Sequence, residues 1–283
     1  MYDRFMNPSS LRQVLSASLC FLVLLPSVGV ACTVFSFAGN DTVLFGNSED
    51  HDDVPYIWFL EARGNYHAVL CLGFDCGGMQ GGMNDAGLCY DAAAGTSHIL
   101  NWHQELADAP PDWPTLVLQY CETVDEVEAF IRRYDYSSKG MAQFLYLDRN
   151  GDSLIVTTTH DGELAFYSRS GGARTITNFN LTDHSVGTYP CWRFDTTSNL
   201  LRNLELGTST PSVDYFRAIL NGVHQPGYTA YSNVFDVRSL TAYVYREHNF
   251  REVRVIHLVD ILEQGAPGCM TLEAYFQRTR GRG

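Results

Sequence analysis

Long hydrophobic runs are missing from this sequence except near its start. There the apolar stretch Leu19–Leu25 is followed by Pro26, and it is shorter than the roughly 20 residues that a membrane-spanning helix needs. Two arginines precede the stretch and the small residue Ala31 follows it, an arrangement typical of a cleaved signal peptide. Residues 1–31 therefore predict an export signal, and we expect the mature chain in a periplasmic, extracellular or secretory-pathway compartment without a stable membrane span. A retained anchor is the alternative, which Pro26 and Gly29 disfavour.

Positive charge is also scarce. The chain has 19 lysines and arginines against 32 aspartates and glutamates, a net charge of −13, and loss of residues 1–31 would make the charge one unit more negative. Because nucleic-acid binding relies on basic surfaces, this composition argues against a nucleic-acid partner. With 45% hydrophobic residues, residues 32–283 suffice for a single domain with a substantial core. The sequence leaves a homo-oligomer open.

Familiar metal-ligand patterns are absent. The sequence has no Cys-x-x-Cys pair and no tight cluster of histidine and cysteine, so it predicts neither a zinc site nor another metal or cofactor. His98 and His103 lie in a loop-like stretch and are expected to be surface residues.

The eight cysteines suit an exported protein but leave the pairing open. Loss of Cys20 with the signal leaves an odd number, so pairing of the others would leave one free thiol, for which Cys32 is the candidate. Cys71 and Cys76 are spaced for a small disulfide loop, although buried unpaired cysteines are common too.

Short strands predominate, and no repeat or low-complexity tract divides the chain. Residues 32–50 predict a hairpin, because two apolar segments flank a Gly-Asn-Asp turn. A threonine and a glutamate with capping-box spacing predict a helix over 123–135. Further helices are expected at 113–121, 196–206 and 212–223, and further strands at 56–63, 66–73, 87–91, 142–169, 240–249 and 253–262. Strands on both sides of the helices in sequence indicate an α+β domain with antiparallel sheets.

Cys32 follows the predicted signal directly, and this position has a chemical consequence. A cysteine at a new chain start carries its own base, because the α-amino group titrates near pH 8 and can take the thiol proton. Such a site needs no catalytic histidine, and the sequence offers no convincing Cys/His/Asn protease pattern. It does need a group that orients the amine and donors for an oxyanion.

Five segments occur in the order that one family of enzymes shows: CTVFSFAGNDTVLFGNSED, GGMNDAGLCYDAAA, TNFNL, CWRFDT and YSNVFDVRSLTAYVY. Together they resemble the N-terminal-nucleophile (Ntn) amide hydrolases of the choloylglycine hydrolase and penicillin acyltransferase group. The resemblance extends from Cys32 to about Leu262. It implies a four-layer αββα sandwich with antiparallel sheets, and hydrolysis of a linear non-peptide amide, a small N-acyl amide, through a thioester on the cysteine.

The resemblance also implies roles for individual residues. Cys32 would be the nucleophile, with its amine as the base, and Asp50 would hold that amine. Asn178 would donate to the oxyanion from its side chain, and the backbone N–H near Ala94 would be the second donor. Arg193 would support the site and favour the thiolate. No metal takes part.

Two departures limit what the resemblance implies about the substrate. Asn47 stands where the family usually has an arginine, and Ala94 stands where bile-salt and penicillin V hydrolases have an asparagine. The sequence therefore predicts hydrolysis of a linear amide without predicting bile-salt specificity.

Two other classes of protein compete with the amidase. One is an acyltransferase, which passes the acyl group to an amine instead of water. The other is an exported lipoprotein or binding protein without catalysis, because the small residue before Cys32 also suits lipid attachment, although Gly29 occupies the usual leucine position. Taken singly, Asp50 also fits an ordinary turn carboxylate, Asn178 a strand-end cap and Arg193 a surface ion-pair partner. Asn40 and Asn180 begin glycosylation sequons, which matter only in a eukaryotic secretory pathway.

Overall fold

The computed structural model describes residues 32–39 and 41–280. The predicted export signal at 1–31 and the first sequon residue, Asn40, lie outside these residues. The strands are β1 (Thr33–Gly39), β2 (Thr42–Asp50), β3 (Tyr56–Leu60), β4 (Val69–Gly73), β5 (Met79–Asn84), β6 (Cys89–Ala93), β7 (Ala107–Asp108), β8 (Tyr134–Asp135), β9 (Gln143–Leu147), β10 (Asp152–Thr158), β11 (Leu164–Ser170), β12 (Gly172–Thr177), β13 (Thr229–Asp236), β14 (Thr241–Arg246), β15 (Val253–His257) and β16 (Met270–Thr271). The helices are α1 (Trp113–Tyr120), α2 (Val124–Ile131), α3 (Trp192–Glu205), α4 (Val213–Val223), α5 (Leu258–Glu263) and α6 (Leu272–Arg280).

Two large antiparallel sheets form the centre of the fold. The six-stranded sheet has the order β12-β1-β2-β13-β14-β15, and the eight-stranded sheet has the order β11-β10-β9-β6-β5-β4-β3-β16. β7 and β8 form a separate short parallel pair. No helix within the described ranges is both long and apolar enough to cross a membrane.

Three apolar clusters define four layers. The largest lies between the two sheets and contains alternate residues of the central strands, such as Val34 and Phe45. The second packs α1 and α2 against the outer face of the eight-stranded sheet, and the third packs α3 and α4 against the outer face of the six-stranded sheet. The predicted α+β sandwich with antiparallel sheets is therefore confirmed.

The strongest local sequence signals are confirmed. β1 and β2 form the predicted hairpin, with Gly39 paired to Thr42. The capping box at α2 is present in both directions, because Thr123 accepts from the Glu126 N–H while the Glu126 carboxylate accepts from the Thr123 N–H. The helices expected at 113–121 and 212–223 correspond to α1 and α4.

Other predicted elements need correction. The strand expected at 253–262 ends at His257, where α5 begins, because an apolar run alone does not distinguish a strand from a buried helix. α3 begins at Trp192, ahead of the predicted start at residue 196. The helix expected over 123–135 ends at Ile131, and Tyr134–Asp135 form β8. β5, β7, β12, β16 and α6 were not predicted.

Of the two alternatives that the sequence leaves open for Cys71 and Cys76, the small disulfide loop does not form. Cys76 pairs instead with Cys269, across a sequence separation of 193 residues and with the two Cα atoms 5.8 Å apart. Cys71 lies in β4, unpaired and buried under the α1/α2 layer. The bond ties the β4–β5 connection to the segment before β16 and α6. Five cysteines of the described ranges are free, namely Cys32, Cys71, Cys89, Cys121 and Cys191, all of them buried.

Candidate active site

Cys32 lies at the entrance to β1, in the interior of the six-stranded sheet. Its side chain is buried, and the hairpin register carries it opposite Glu49. The thiol donates a hydrogen bond to Glu49 Oε1, with 3.1 Å between Sγ and Oε1. Burial and the Glu49 charge raise the pKa of the Cys32 thiol well above its usual value, and the backbone N–H of Asp50 opposes this rise. The surroundings therefore favour the neutral thiol.

A buried arginine from α3 connects the predicted site residues. Arg193 Nη1 donates to the backbone carbonyl of Cys32 at 2.7 Å and to Thr33 Oγ1 at 3.0 Å. Nη2 donates to Asn178 Oδ1 at 3.4 Å, and Nη1 lies 3.8 Å from Asp50 Oδ2. A planar guanidinium with several fixed donors can hold such divergent partners in one geometry. Arg193 thus joins the end of β2 and the end of β12 to Cys32.

Asp50 is the last residue of β2, and its carboxylate is fully buried. Gln225 Nε2 donates to Oδ2 at 2.6 Å, and the Thr229 hydroxyl donates to Oδ1. Burial raises the pKa of Asp50, while these two donors and Arg193 act to lower it. Thr229 also lines a cavity of about 380 Å³, so the carboxylate lies just behind a cavity wall.

Two amide side chains connect the segment after β12 with the segment after β6. Asn178 Nδ2 donates to the carbonyl of Ala94 at 2.9 Å, and Asn180 Nδ2 donates to the carbonyl of Thr96 at 2.7 Å. We call these two contacts the amide bridges. The first uses one of the two N–H groups of Asn178. Because Asn180 is fully buried, its sequon is inaccessible to a glycan in the folded chain.

The structure therefore brings all five predicted site residues into one connected group. Cys32, Asp50 and Asn178 each contact Arg193, and Asn178 contacts Ala94. Their chemical roles remain predictions.

Two buried carboxylates near the thiol, Glu49 and Asp91, were not predicted from the sequence. Burial and the charge of Asp50 raise the pKa of Glu49 to about 7, against the effect of hydrogen bonds from Cys32 and Asn47. Burial and the charge of Glu49 raise the pKa of Asp91 well above its usual value. Neither carboxylate forms an ion pair with any of the residues described. The site thus contains two interacting buried acids between the two sheets.

The hairpin itself contained a signal for Glu49. A two-residue turn that pairs Gly39 with Thr42 fixes the register, which places Glu49 across from Cys32. Asp91 has a weaker signal, because it shares one face of β6 with Cys89 and Ala93, which belong to the core between the sheets.

Unpartnered polar atoms extend this site along the inner face of the six-stranded sheet. Asn47 Nδ2 donates to Glu49 Oε2 at 3.3 Å, and its Oδ1 has no hydrogen-bond partner. Asn233 pairs with Asn47 in the β2–β13 register and is fully buried, with both amide atoms unpartnered. Asp91 Oδ2 and the Tyr231 hydroxyl are also unpartnered. Because buried polar atoms normally have partners, these groups are available to a bound molecule or water.

Comparisons with known proteins give a consistent fold and little sequence similarity. Two variants of conjugated bile acid hydrolase from Clostridium perfringens align with TM-scores of 0.61 and 0.62 at 15% identity, covering 84% and 85% of this chain and 96% of theirs. Penicillin V acylase from Agrobacterium tumefaciens aligns with a TM-score of 0.55 at 14% identity, covering 83% of this chain and 89% of its own. No family model matches the chain, and no curated protein matches it by sequence. At these identities the likeness is one of fold, and at that level the predicted resemblance is confirmed.

Proposed function

We propose that this protein is a cysteine Ntn hydrolase that cleaves a linear non-peptide amide. The observation that supports it best is the buried Arg193, which contacts Cys32, Asp50 and Asn178 together. If Asn178 were only a strand-end cap and Arg193 only a surface ion-pair partner, there would be no reason for these three residues to share one buried cation. The fold is also shared with conjugated bile acid hydrolase and penicillin V acylase.

The reaction proceeds in two stages. The free α-amino group of Cys32 takes the thiol proton, and Sγ attacks the carbonyl carbon of the amide to form a tetrahedral oxyanion. The Asn178 side chain and the backbone N–H near Ala94 donate to this oxyanion. The protonated amine then gives its proton to the leaving nitrogen, so that the C–N bond breaks and a thioester remains. Water, deprotonated by the same amine, hydrolyses the thioester and restores the thiol.

Export and maturation are part of this proposal. Removal of residues 1–31 creates the amine that acts as the base, because an amide nitrogen in an uncut chain cannot accept a proton at neutral pH. Removal of residues 1–31 therefore activates the enzyme. Transfer of the acyl group to an amine instead of water would use the same intermediate and remains the alternative outcome of the second stage.

The charges near the site indicate which substrates to test first. The cavity beside Asp50 is lined by Asp52, Asp53, Glu247 and Glu273, with Arg246 as the lining arginine. Glu49 adds a carboxylate next to the thiol. Such an acidic environment favours an amide whose amine portion is positively charged over one with an anionic amine portion. The substrate panel therefore contains matched N-acyl amides with cationic, neutral and anionic amine portions.

The decisive experiment combines N-terminal analysis with intermediate trapping. The secreted protein is sequenced from its N-terminus, incubated with the amide panel and quenched in acid for intact-mass measurement. We expect Cys32 as the first residue and an acyl adduct on its peptide. We also expect the adduct to be absent from folded Cys32→Ser, because a hydroxyl is much harder to activate than a thiol. A lipidated Cys32, or turnover of the amides by Cys32→Ser at the wild-type rate, would overturn the proposal. Hydroxylamine or a primary amine added to the assay distinguishes hydrolysis from transfer.

A further inference from the structure

Three potential metal ligands, none of them among the predicted site residues, come together from three different connections. His98 follows β6, His160 lies between β10 and β11, and Asp183 follows β12. Their Nε2, Nδ1 or carboxylate atoms all lie within 4.8 Å of one another. The sequence gives no hint of this cluster, because the three residues are far apart along the chain. The expectation that His98 is a surface residue is also wrong, since its side chain is only 16% exposed.

The distances suit a small divalent cation. His98 Nε2 lies 3.2 Å and His160 Nδ1 lies 3.8 Å from Asp183 Oδ2. In a tetrahedral zinc site with bonds near 2.0–2.1 Å, neighbouring ligand atoms are about 3.4 Å apart. These two separations lie on either side of this value, and no two ligand atoms are more than 4.8 Å apart, so a zinc ion could bond all three groups after small side-chain movements.

The hydrogen bonding around the cluster leaves the ligand atoms available. His98 Nε2 is buried and has no hydrogen-bond partner. Asp183 Oδ1 accepts from the backbone N–H and hydroxyl of Ser185 at 2.9 and 2.6 Å, which fixes the carboxylate. Its Oδ2 faces the two imidazoles. A nitrogen that forms no hydrogen bond but lies within ion-pair distance of an oriented carboxylate oxygen, with a second imidazole nearby, is an arrangement that a metal site shows, where outer donors position the ligands.

We propose that His98, His160 and Asp183 bind one divalent transition-metal ion, with Zn²⁺ the preferred cation. Two imidazoles and one carboxylate form a donor set suited to zinc and poorly suited to calcium or magnesium. Three protein ligands leave a fourth position for water.

The location of this zinc site gives it a structural consequence. His98 and Asp183 belong to the same two segments that the amide bridges join, through Asn178 with Ala94 and Asn180 with Thr96. A metal ion bonded to both segments would add a third connection between them. It would therefore restrain the segments that carry the predicted oxyanion donors, without contacting Cys32.

Zinc binding is measured by calorimetry on the metal-free secreted protein without a histidine tag. His98→Ala, His160→Ala and Asp183→Asn are compared with His103→Ala as the matched control. His103 lies close in sequence to His98 and contacts the exposed carboxylate of Glu163, outside the cluster. His160→Ala tests the site even if His98→Ala fails to fold, because His160 is 84% exposed.

The proposal expects one zinc ion per chain at micromolar affinity or tighter. A hundredfold excess of zinc over its Kd should raise the Tm by about 5 °C or more. Each cluster variant should weaken binding at least tenfold, whereas His103→Ala should bind as the wild type does. Zinc should also slow amide hydrogen exchange at residues 94–98 and 178–183. Absence of zinc binding, or equal binding by the cluster variants and wild type, would overturn the metal site and leave an ion-paired cluster. Unchanged exchange on zinc binding would overturn the restraint of the two segments.

Discussion

Replacing Glu49 by glutamine should make the Cys32 thiol more reactive. Glu49 accepts the hydrogen bond of the thiol, and its negative charge opposes ionisation of Sγ. Glutamine has nearly the same size and keeps a side-chain oxygen, but it carries no charge. The change therefore removes the electrostatic effect with little change in packing.

The size of the effect follows from the distance. With 3.1 Å between Sγ and Oε1 and the carboxylate charge spread over two oxygens, the mean separation of the charges is about 4 Å. At an effective dielectric constant near 20 this corresponds to about 4 kcal/mol, or roughly 3 pKa units. A lower pKa makes the thiolate more abundant and each thiolate less nucleophilic, which cancels nearly half of the gain on a logarithmic scale. The rate of alkylation should rise by about 30- to 60-fold.

The effect should also depend on pH, because the pKa of Glu49 is raised to about 7. At pH 8 most wild-type molecules carry the Glu49 charge, so the ratio of the alkylation rates of the variant and the wild type should reach its full value. At pH 6 most wild-type molecules have a protonated Glu49, and the ratio of the two rates should approach one.

Alkylation by iodoacetamide is followed by mass spectrometry of the peptide that contains Cys32, because four other free cysteines are present among the described residues. Glu105→Gln is the control, since that carboxylate is exposed and lies beside His103 rather than Cys32. A slower reaction in Glu49→Gln would refute the reasoning and identify Glu49 as the group that takes the thiol proton. A ratio that does not change between pH 6 and 8 would refute the assigned titration.

Three further outcomes are expected. Asn178→Ala should keep the alkylation rate of Cys32 within a few-fold of wild type while amide turnover falls by about a hundredfold or more, the usual loss for one oxyanion donor; equal loss of both would argue against the donor role. Glu49 has a pKa of about 7 in the folded chain against 4.5 when exposed, so it stabilises the fold fully below pH 4.5. This contribution, up to about 3 kcal/mol, is lost as the pH rises through 7, and denaturant titrations at pH 5 and 8 should show a smaller difference in Glu49→Gln. Cys269→Ser should lower the unfolding free energy by about 2–5 kcal/mol, seen as a lower Tm that reductant no longer changes.

The parts of the site that depend on local sequence could be predicted. A short turn between two apolar strands determines the β1–β2 register, and the register determines what lies opposite Cys32. The capping box likewise specifies the start of α2 from residues within one turn. In both cases the interacting groups are close in sequence, so a pattern contains the information.

The remaining contacts depend on how the two sheets pack, which no local pattern specifies. Asp91 reaches the neighbourhood of Glu49 from the opposite sheet, and Cys76 reaches Cys269 only because the C-terminal segment returns to the edge of the eight-stranded sheet. The cluster of His98, His160 and Asp183 likewise needs three connections to meet. Such contacts join residues that alternation and spacing cannot relate to one another.

The hydrogen bond from Arg193 to the backbone carbonyl of Cys32 has a practical consequence under the proposed maturation. It helps to hold the main chain at residue 32 without involving the α-amino group, so we expect an uncut chain to fold around the same site. Correct folding and catalytic competence then become separate properties of a preparation. Circular dichroism and thermal melts would not distinguish cut from uncut molecules, and specific activity would report the fraction whose first residue is Cys32. Purified protein should therefore be calibrated by active-site titration before turnover numbers are compared between variants.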